Sequence, residues 1–529
     1  MYTETDGSRK AIGDIDVLFN DGLYHLFHLV LPNHDFIAHA VSTDGVNWRR
    51  VRNSLFIGDP GSWDDLMLWT MHVSPDPHQA GRWRMFYTGL TRRDRGRVQR
   101  IGLAYSDDLY RWEKAPVSWK DDRGLEDPPA VKAARELSAE AEATAVHAPY
   151  DAESCLPLQP DAAHYESTLA KPRHWVSFRD PFYCRTEAGA WLLASARVNE
   201  GPLVRRGCVA LLEETAPHHF ESRPTLCHPH LYDDIEVPNY FVLEGHPYLI
   251  GSIREDAKVR YWHGGGRDRP WRSYHDNVLM PQGNYAGRVC HDEKGWLLWS
   301  FYVMDRRDRT ANNLMPPPKR LRREPSGLLY LETFEYFERL RGEALDARRV
   351  RALKSHGMGD HCRAEAEVWE IASEASFQGF VFDECLENFW LEAALELQGK
   401  GKCGLLFRID PESHDGYYLS LDLLKGVAQL RAWGTDADGE GEDMMFFETL
   451  QSAFWHSKQP GRARLSLLTY GSYLELSIDG RVALSLVDRR FQHGYVGVYL
   501  ETATLRVSDL CLHRMPAPVQ RDDQLVKAD

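Results

Sequence analysis

Three carboxylates stand apart in this sequence because of what surrounds them. Asp14 in GDIDVLF, Asp180 in SFRDPFYCR and Glu236 in DDIEVPNYFVL each open an apolar or aromatic run. Arg179 and Pro181 flank Asp180, and Pro238 follows two residues after Glu236. A pair of carboxyl groups divides labour readily: one ionised as nucleophile or base, one protonated as acid. That is the division used in glycoside hydrolysis. A third acidic group can hold sugar hydroxyls and stabilise an oxocarbenium-like state, and an arginine beside it keeps it ionised. Such a reaction requires neither metal nor cofactor.

Groups so far apart in sequence need a scaffold that brings strand beginnings together. Most of the chain reads as short strands. VLFNDGLYHLFHLV (17–30) is two apolar runs around Asn-Asp-Gly, a hairpin signal, because these residues tolerate the positive φ of a tight turn. RWRMFYTGL (82–90), AWLLASARV (190–198), HPYLIGSIRE (246–255) and GWLLWSFYV (295–303) repeat the pattern. AHAVSTDGVNWRRV (38–51) and GLAYSDDLYRWEKA (102–115) share the form A-x-S-x-D-x-x-x-W, a recurring sheet unit of about 60 residues. These features predict an all-β propeller, whose innermost strands begin around a central funnel. Alternating segments over 389–514 predict a β-sandwich. The expected domains are a propeller over 1–345, a sandwich over 346–515 and a loose tail over 516–529. An inserted loop over 118–172 is expected to carry a short helix in the Ala/Glu-rich stretch 127–151, and 328–346 reads as a strand running into a helix.

Composition narrows the function classes. The 529 residues are 43% hydrophobic and 27% charged, with a formal net charge of −15, a field that argues against nucleic acid as a partner. No apolar run reaches the ~20 residues of a membrane span, and the start MYTETDGSRK lacks a signal-type stretch; a cytoplasmic location is expected. The nine cysteines include no C-x-x-C and read as reduced thiols. The 16 Trp and 23 Tyr serve sheet packing and sugar stacking. His218, His219, Cys227, His228 and His230 fit no standard zinc spacing and read as loop residues near a sugar-binding funnel. Lys319, Arg320, Arg322 and Arg323 read as a solvated linker.

In its order of motifs the chain resembles glycoside hydrolase family 32, the invertase, inulinase and levanase group. GLYHLFHL (22–29) is similar to the family's Y-H-L-F-Y-Q strand, and IAHAVSTDGVNW (37–48) to W-G-H-A-x-S-x-D-x-x-H-W. FRDP (178–181) matches R-D-P, and EVPNYF (236–241) resembles E-C-P-D-L-F. PQGNYAGRV (281–289), PPPKRLRREPSGLLYLETFEYFERLR (316–341) and LELSIDGRVALS (474–485) resemble later elements. The resemblance implies a five-bladed β-propeller followed by a β-sandwich, and a retaining glycosidase or transglycosidase acting on terminal β-fructofuranosyl units. It implies Asp14 as nucleophile, Asp180 as transition-state stabiliser and Glu236 as general acid/base. Arg179, Asp16, His39, Trp63, Trp69 and Tyr285 are the expected substrate-binding set. The expected partner is an oligosaccharide or small glycoside, with a homo-oligomer left open.

The departures concentrate at the first motif, where W-M-N-D-P-N-G is replaced by AIGDIDVLF. Asp14 lies ten residues before Tyr24, the family spacing, which favours it over Asp16. Val237 stands for a cysteine and Ile37 for a tryptophan. These changes remove expected contacts to a fructosyl unit and point away from ordinary sucrose cleavage, towards a different fructan, a cyclic or modified fructoside, or another furanoside. Two alternatives stay open: an inverting arabinofuranosidase-like enzyme of the related five-bladed family 43 type, and a non-catalytic sugar-binding protein. Carboxylate separations of roughly 5–5.5 Å and 6.5–9.5 Å distinguish retaining from inverting sites.

Overall fold

A computed structural model describes residues 2, 11–120, 148–303, 313–346, 349–353, 361–365, 368–435, 444–457 and 459–519. Helical structure among them is confined to short 3-10 turns, and no helix is long and apolar enough to cross a membrane. The stretch expected to hold a helix lies mostly outside the described residues, as does most of the expected tail. The helix expected after residue 333 is only a 3-10 turn, Phe337–Leu340. The nine cysteines, all among the described residues, form no disulfide.

Five antiparallel sheets form the blades of a propeller. Their innermost strands are Ala11–Asn20, Met67–Pro75, Phe178–Thr186, Glu236–Leu243 and Asn284–Asp292. Each packs against the next, and the fifth against the first, so the ring closes around one axis. Local chemistry sets the hairpins. The first two strands pair from Ala11↔Leu31 to Asn20↔Leu23 around Asp21-Gly22, with φ of 48° and 77°. Positive φ at both turn positions matches the right-handed twist of the flanking strands. The Ser-Asp-Trp repeat closes the first two blades in the same way. Ser42 Oγ accepts from Gly45 N, and Asp44 Oδ1 from Val46 N and Asn47 N, while Trp48 is buried below. Ser106, Asp108 and Trp112 repeat the arrangement.

The ladder between each innermost strand and its neighbour slips once near the strand's beginning. The slips fall between Ile12 and Ile15, Trp69 and Met71, Arg179 and Phe182, Glu236 and Asn239, and Tyr285 and Arg288. Asp180, Val237 and Ala286 occupy these slips with φ of 60°, 51° and 51°. A β-branched residue such as Val237 pays steric strain there. Bulges of this kind re-aim side chains next to functional sites.

The second unit is one 12-stranded sheet folded into two layers. Its hub is the strand Gly494–Arg514. Residues up to Glu501 pair with Lys402–Ile409, and residues from Thr504 pair with Phe389–Gln398. Thr502, at φ 52°, marks the corner. The expected seam at 345/346 falls between the 3-10 turn ending at Leu340 and the first sandwich strand, Val350–Ala352.

The fifth blade docks on this unit, which corrects the solvated-linker expectation for Lys319 and Arg320. Both are 1% exposed and lie in the strand Lys319–Arg323. Lys319 Nζ is 3.3 Å from Glu475 of the sandwich. Arg320 donates to both oxygens of Asp292, at 2.7 and 2.9 Å, and to Glu335 at 2.6 Å. A basic run is polar on paper, but here its charges are paired at a buried seam. Phe337 extends the apolar contact, its ring 5.3 Å from that of Tyr470.

Candidate active site

The strand beginnings of blades one, three and four place Asp14, Asp180 and Glu236 at the same end of the axis. One network joins them. Thr70, at the slip of blade two, donates its hydroxyl hydrogen to Asp14 and also lies within hydrogen-bond reach of Asp180. Val237 N donates to Asp180 Oδ2 at 3.0 Å, and Asp180 N donates to Thr88 Oγ1 at 3.1 Å. Arg179 lies 3.5 Å from Asp180, 3.3 Å from Asp234 and 2.5 Å from Glu236. Tyr285, from blade five, donates its hydroxyl hydrogen to the second oxygen of Glu236. All five blades therefore contribute a side chain or a floor group. Asp180 is buried, whereas Asp14 and Glu236 are half-buried and open towards the funnel.

Charge balance here is tight. Burial raises the carboxyl of Asp14 above its ordinary value, and the Glu236 charge adds to the rise; the Thr70 hydroxyl, Arg288 and Arg179 oppose it. Burial likewise raises Asp180, against the nearby Arg179. Glu236 is raised by burial and by Asp180 and Asp234, while Arg179 and Tyr285 pull it down. The guanidinium of Arg179 is held firmly protonated by the carboxylates around it, although burial alone acts the other way. It is also buttressed: Ser177 accepts from it and in turn donates to Asp234 at 3.0 Å, and Arg197 donates to Asp234 at 2.6 Å.

The floor of the funnel is a fully buried cation, Arg288. Its Nη1 donates to Pro238 O at 3.2 Å, and its Nη2 to Met71 O at 3.0 Å and Pro181 O at 2.9 Å. Its Nε is 3.5 Å from Asp16. Asp16 is 2% exposed and also accepts from Val73 N at 2.7 Å and pairs with His72 at 3.2 Å. Thus one guanidinium ties the bulged starts of three blades to the carboxylate of a fourth.

The expected binding set separates into two groups. Arg179 and Tyr285 touch Glu236, and Trp69 sits half-buried immediately before Thr70, its ring 6.0 Å from that of His34. Asp16 is brought to the axis, but its carboxylate is engaged in the floor beneath the funnel. His39 and Trp63 do not join the cluster. His39 is buried in the third strand of blade one, stacked at 4.4 Å on Phe27 and 3.1 Å from His25. Trp63 fills a slot left by Gly89 and Gly102, where an added Cβ would come within 2.3 Å of its ring. Thr70, His72, Asp234 and Arg288 were not singled out from sequence. A lone threonine in LWTMH carries no signal, whereas Asp234 was visible in DDIE.

Comparison with known proteins bears on the fold that carries this site. Residues 12–131 match the model of the glycosyl hydrolases family 32 N-terminal domain. Among curated proteins no sequence matches. The fold is similar to that of fructan 1-exohydrolase IIa from Cichorium intybus, with TM-score 0.65, 14% identity, and 98% of this chain and 97% of that one covered. Exo-inulinase from Aspergillus awamori gives 0.63 at 12% identity, covering 98% of both chains. Sucrose-6-phosphate hydrolase from Lactobacillus gasseri gives 0.62 at 15%, covering 96% and 91%. The family model thus matches the first two blades, and the fold is shared with these enzymes over nearly the whole length of the chain.

Proposed function

We propose that the protein is a retaining glycoside hydrolase or transglycosidase that releases or transfers terminal β-fructofuranosyl, or closely related furanosyl, units. The observation that carries this reading is the convergence of Asp14, Asp180 and Glu236 from three blades, bridged by Thr70 and Arg179. The fructan- and inulin-cleaving enzymes of the same fold support the sugar class.

In this reading Glu236 gives its proton to the leaving glycosidic oxygen. A carboxylate oxygen of Asp14 bonds to the anomeric carbon as the C–O bond breaks. Asp180 accepts hydrogen bonds from sugar hydroxyls, and Thr70 orients Asp14. The charge of Glu236 raises Asp14, and burial with Asp180 and Asp234 raises Glu236, so the site disfavours full ionisation of both carboxyl groups. Ester formation removes the Asp14 charge, so Glu236, still beside Arg179, is left as a base. It then takes a proton from water or a sugar hydroxyl, whose oxygen displaces Asp14 from the anomeric carbon.

The test is a product assay over fructosides and arabinofuranosides, with Asp14→Asn and Glu236→Gln alongside and the anomeric form of the first product followed by NMR. Fructose released with retained configuration, and lost in both variants, is expected. Arabinose release would move the sugar and keep the site. Inverted product would overturn the covalent role of Asp14, and sugar binding without turnover would overturn the enzyme reading.

A further inference from the structure

The sandwich carries a groove of about 440 Å³ on the outer face of one layer, within the size range of small-ligand sites. Strand alternation builds it. In Val427–Thr435 the even-numbered residues Ala428, Leu430 and Ala432 enter the core, so Gln429, Arg431 and Trp433 point outward. Trp433 is 40% exposed, and its ring lies 4.8 Å from that of Tyr418 at an interplanar angle of 31°. Tyr499 stands edge-on to Tyr418, at 63° and 6.3 Å, and 5.2 Å from Phe377, so the two buried tyrosines back the exposed Trp433. Gly404 opposite Tyr499 makes room for its ring, since a Cβ there would come within 2.4 Å.

Around these rings, charges of both signs alternate. Lys402 sits 3.8 Å from Glu501, Lys425 sits 4.0 Å from Asp422, and Arg431 donates to Gln429 at 2.7 Å. The two lysine pairs are loose and largely exposed, so their donors and acceptors stay available. One exposed aromatic ring backed by buried tyrosines, a polar rim and little net charge suit a ligand with apolar ring faces and many neutral hydroxyls. They do not suit an anion, which a one-signed rim would select, or a peptide strand, which would seek an open sheet edge and not this central face.

We infer that this groove is a second carbohydrate-binding site, one that holds a neutral saccharide chain by stacking on Trp433 and Tyr418. The binding residues lie on the sandwich and share none of the catalytic carboxylates. The inference therefore goes beyond the proposed reaction and does not depend on it.

Affinity electrophoresis of the full chain tests it. Levan, inulin and xylan serve as neutral polymers and polygalacturonate as an anionic one. The Asp14→Asn background prevents consumption of polymer, and free fructose in excess competes at the funnel. A neutral polymer is expected to retard the protein in the presence of fructose. Trp433→Ala should raise the apparent Kd by at least about fivefold, and Asp422→Asn should also weaken retardation. With Asp14 intact, Trp433→Ala should leave kcat/KM on a small fructoside unchanged. No retardation by any neutral polymer, retardation by polygalacturonate alone, or equal retardation of wild type and Trp433→Ala would each overturn the groove. Retardation without turnover of any furanoside would instead refute only the proposed reaction.

Discussion

Replacing Arg288 by leucine should destabilise the propeller and shift the acid limb of its pH profile. The side chain is 0% exposed, so nothing from solvent replaces it. Its removal leaves the carbonyls of Pro238, Met71 and Pro181 without their guanidinium donors and Asp16 without its cation. Each unsatisfied buried acceptor costs about 1–3 kcal/mol, and breaking a buried ion pair by removing one partner costs about 3–5 kcal/mol. The terms overlap, because Asp16 keeps Val73 N and His72 and the carbonyls relax together. The total is therefore about 3–5 kcal/mol. At about 2–4 °C per kcal/mol, Tm falls by about 6–20 °C, measured by calorimetry and by tryptophan fluorescence. Arg288→Lys keeps a charge but not the fork that reaches several blades, so its loss is intermediate. A second readout separates charge from packing. Arg288 opposes the rise of Asp14, so the acid limb of kcat/KM should move to higher pH in the leucine variant. A fall in stability below about 1 kcal/mol, or an acid limb that stays in place, would refute the plug as described.

The remaining expectations concern the carboxylates and the seam. Thr70→Val removes a donor that lowers Asp14, so the acid limb of kcat/KM should move up in pH and the rate fall about tenfold or more. Tyr285→Phe removes a donor that lowers Glu236, so the alkaline limb should move up instead; opposite limbs responding is the discriminating result. The folded-state carboxyl of Asp14 is raised above its ordinary 3.8, so the native chain binds the extra proton and loses stability as pH rises from there through the raised value. Asp14→Asn should thus gain Tm relative to wild type as pH climbs through that window, with no difference below it. Lys319→Met strands the buried Glu475 and should cost about 3–5 kcal/mol in urea titration, while adding Glu475→Gln should recover much of it.

What was legible in the sequence was mostly local. The Asp21-Gly22 turn and the Ser-Asp-Trp closures encode their own hydrogen bonds within a few residues, and the structure forms them. Asp14, Asp180 and Glu236 stood out through their neighbours at strand beginnings, and the structure brings them together. The members added by distant blades carried no local mark. Thr70 and Arg288 acquire meaning only when the ring closes, because their partners lie on other blades, Met71 being 217 residues from Arg288. His39 lies in the third strand of its blade and Trp63 in the segment before Met67–Pro75, both packed away from the axis, and residue type alone does not say which part of a blade faces the funnel. Lys319 and Arg320 misled for a related reason: polarity in sequence does not distinguish solvent from a buried counter-charge.

The ring of register slips bears on how such a site changes over time. At a slip the backbone is held by neighbours on either side while one or two residues fall outside the ladder. Those positions hold Gly13 and Asp14, Thr70, Asp180 and Pro181, Val237 and Pro238, and Ala286 and Gly287: acid, hydroxyl, imide ring and methyl on one repeated turn of chain. Side-chain identity is thereby uncoupled from sheet pairing. Residues flanking Asp14 can therefore vary while the carboxylate keeps its place. The same freedom makes these five points the natural sites at which to change what the funnel accepts without rebuilding the blades.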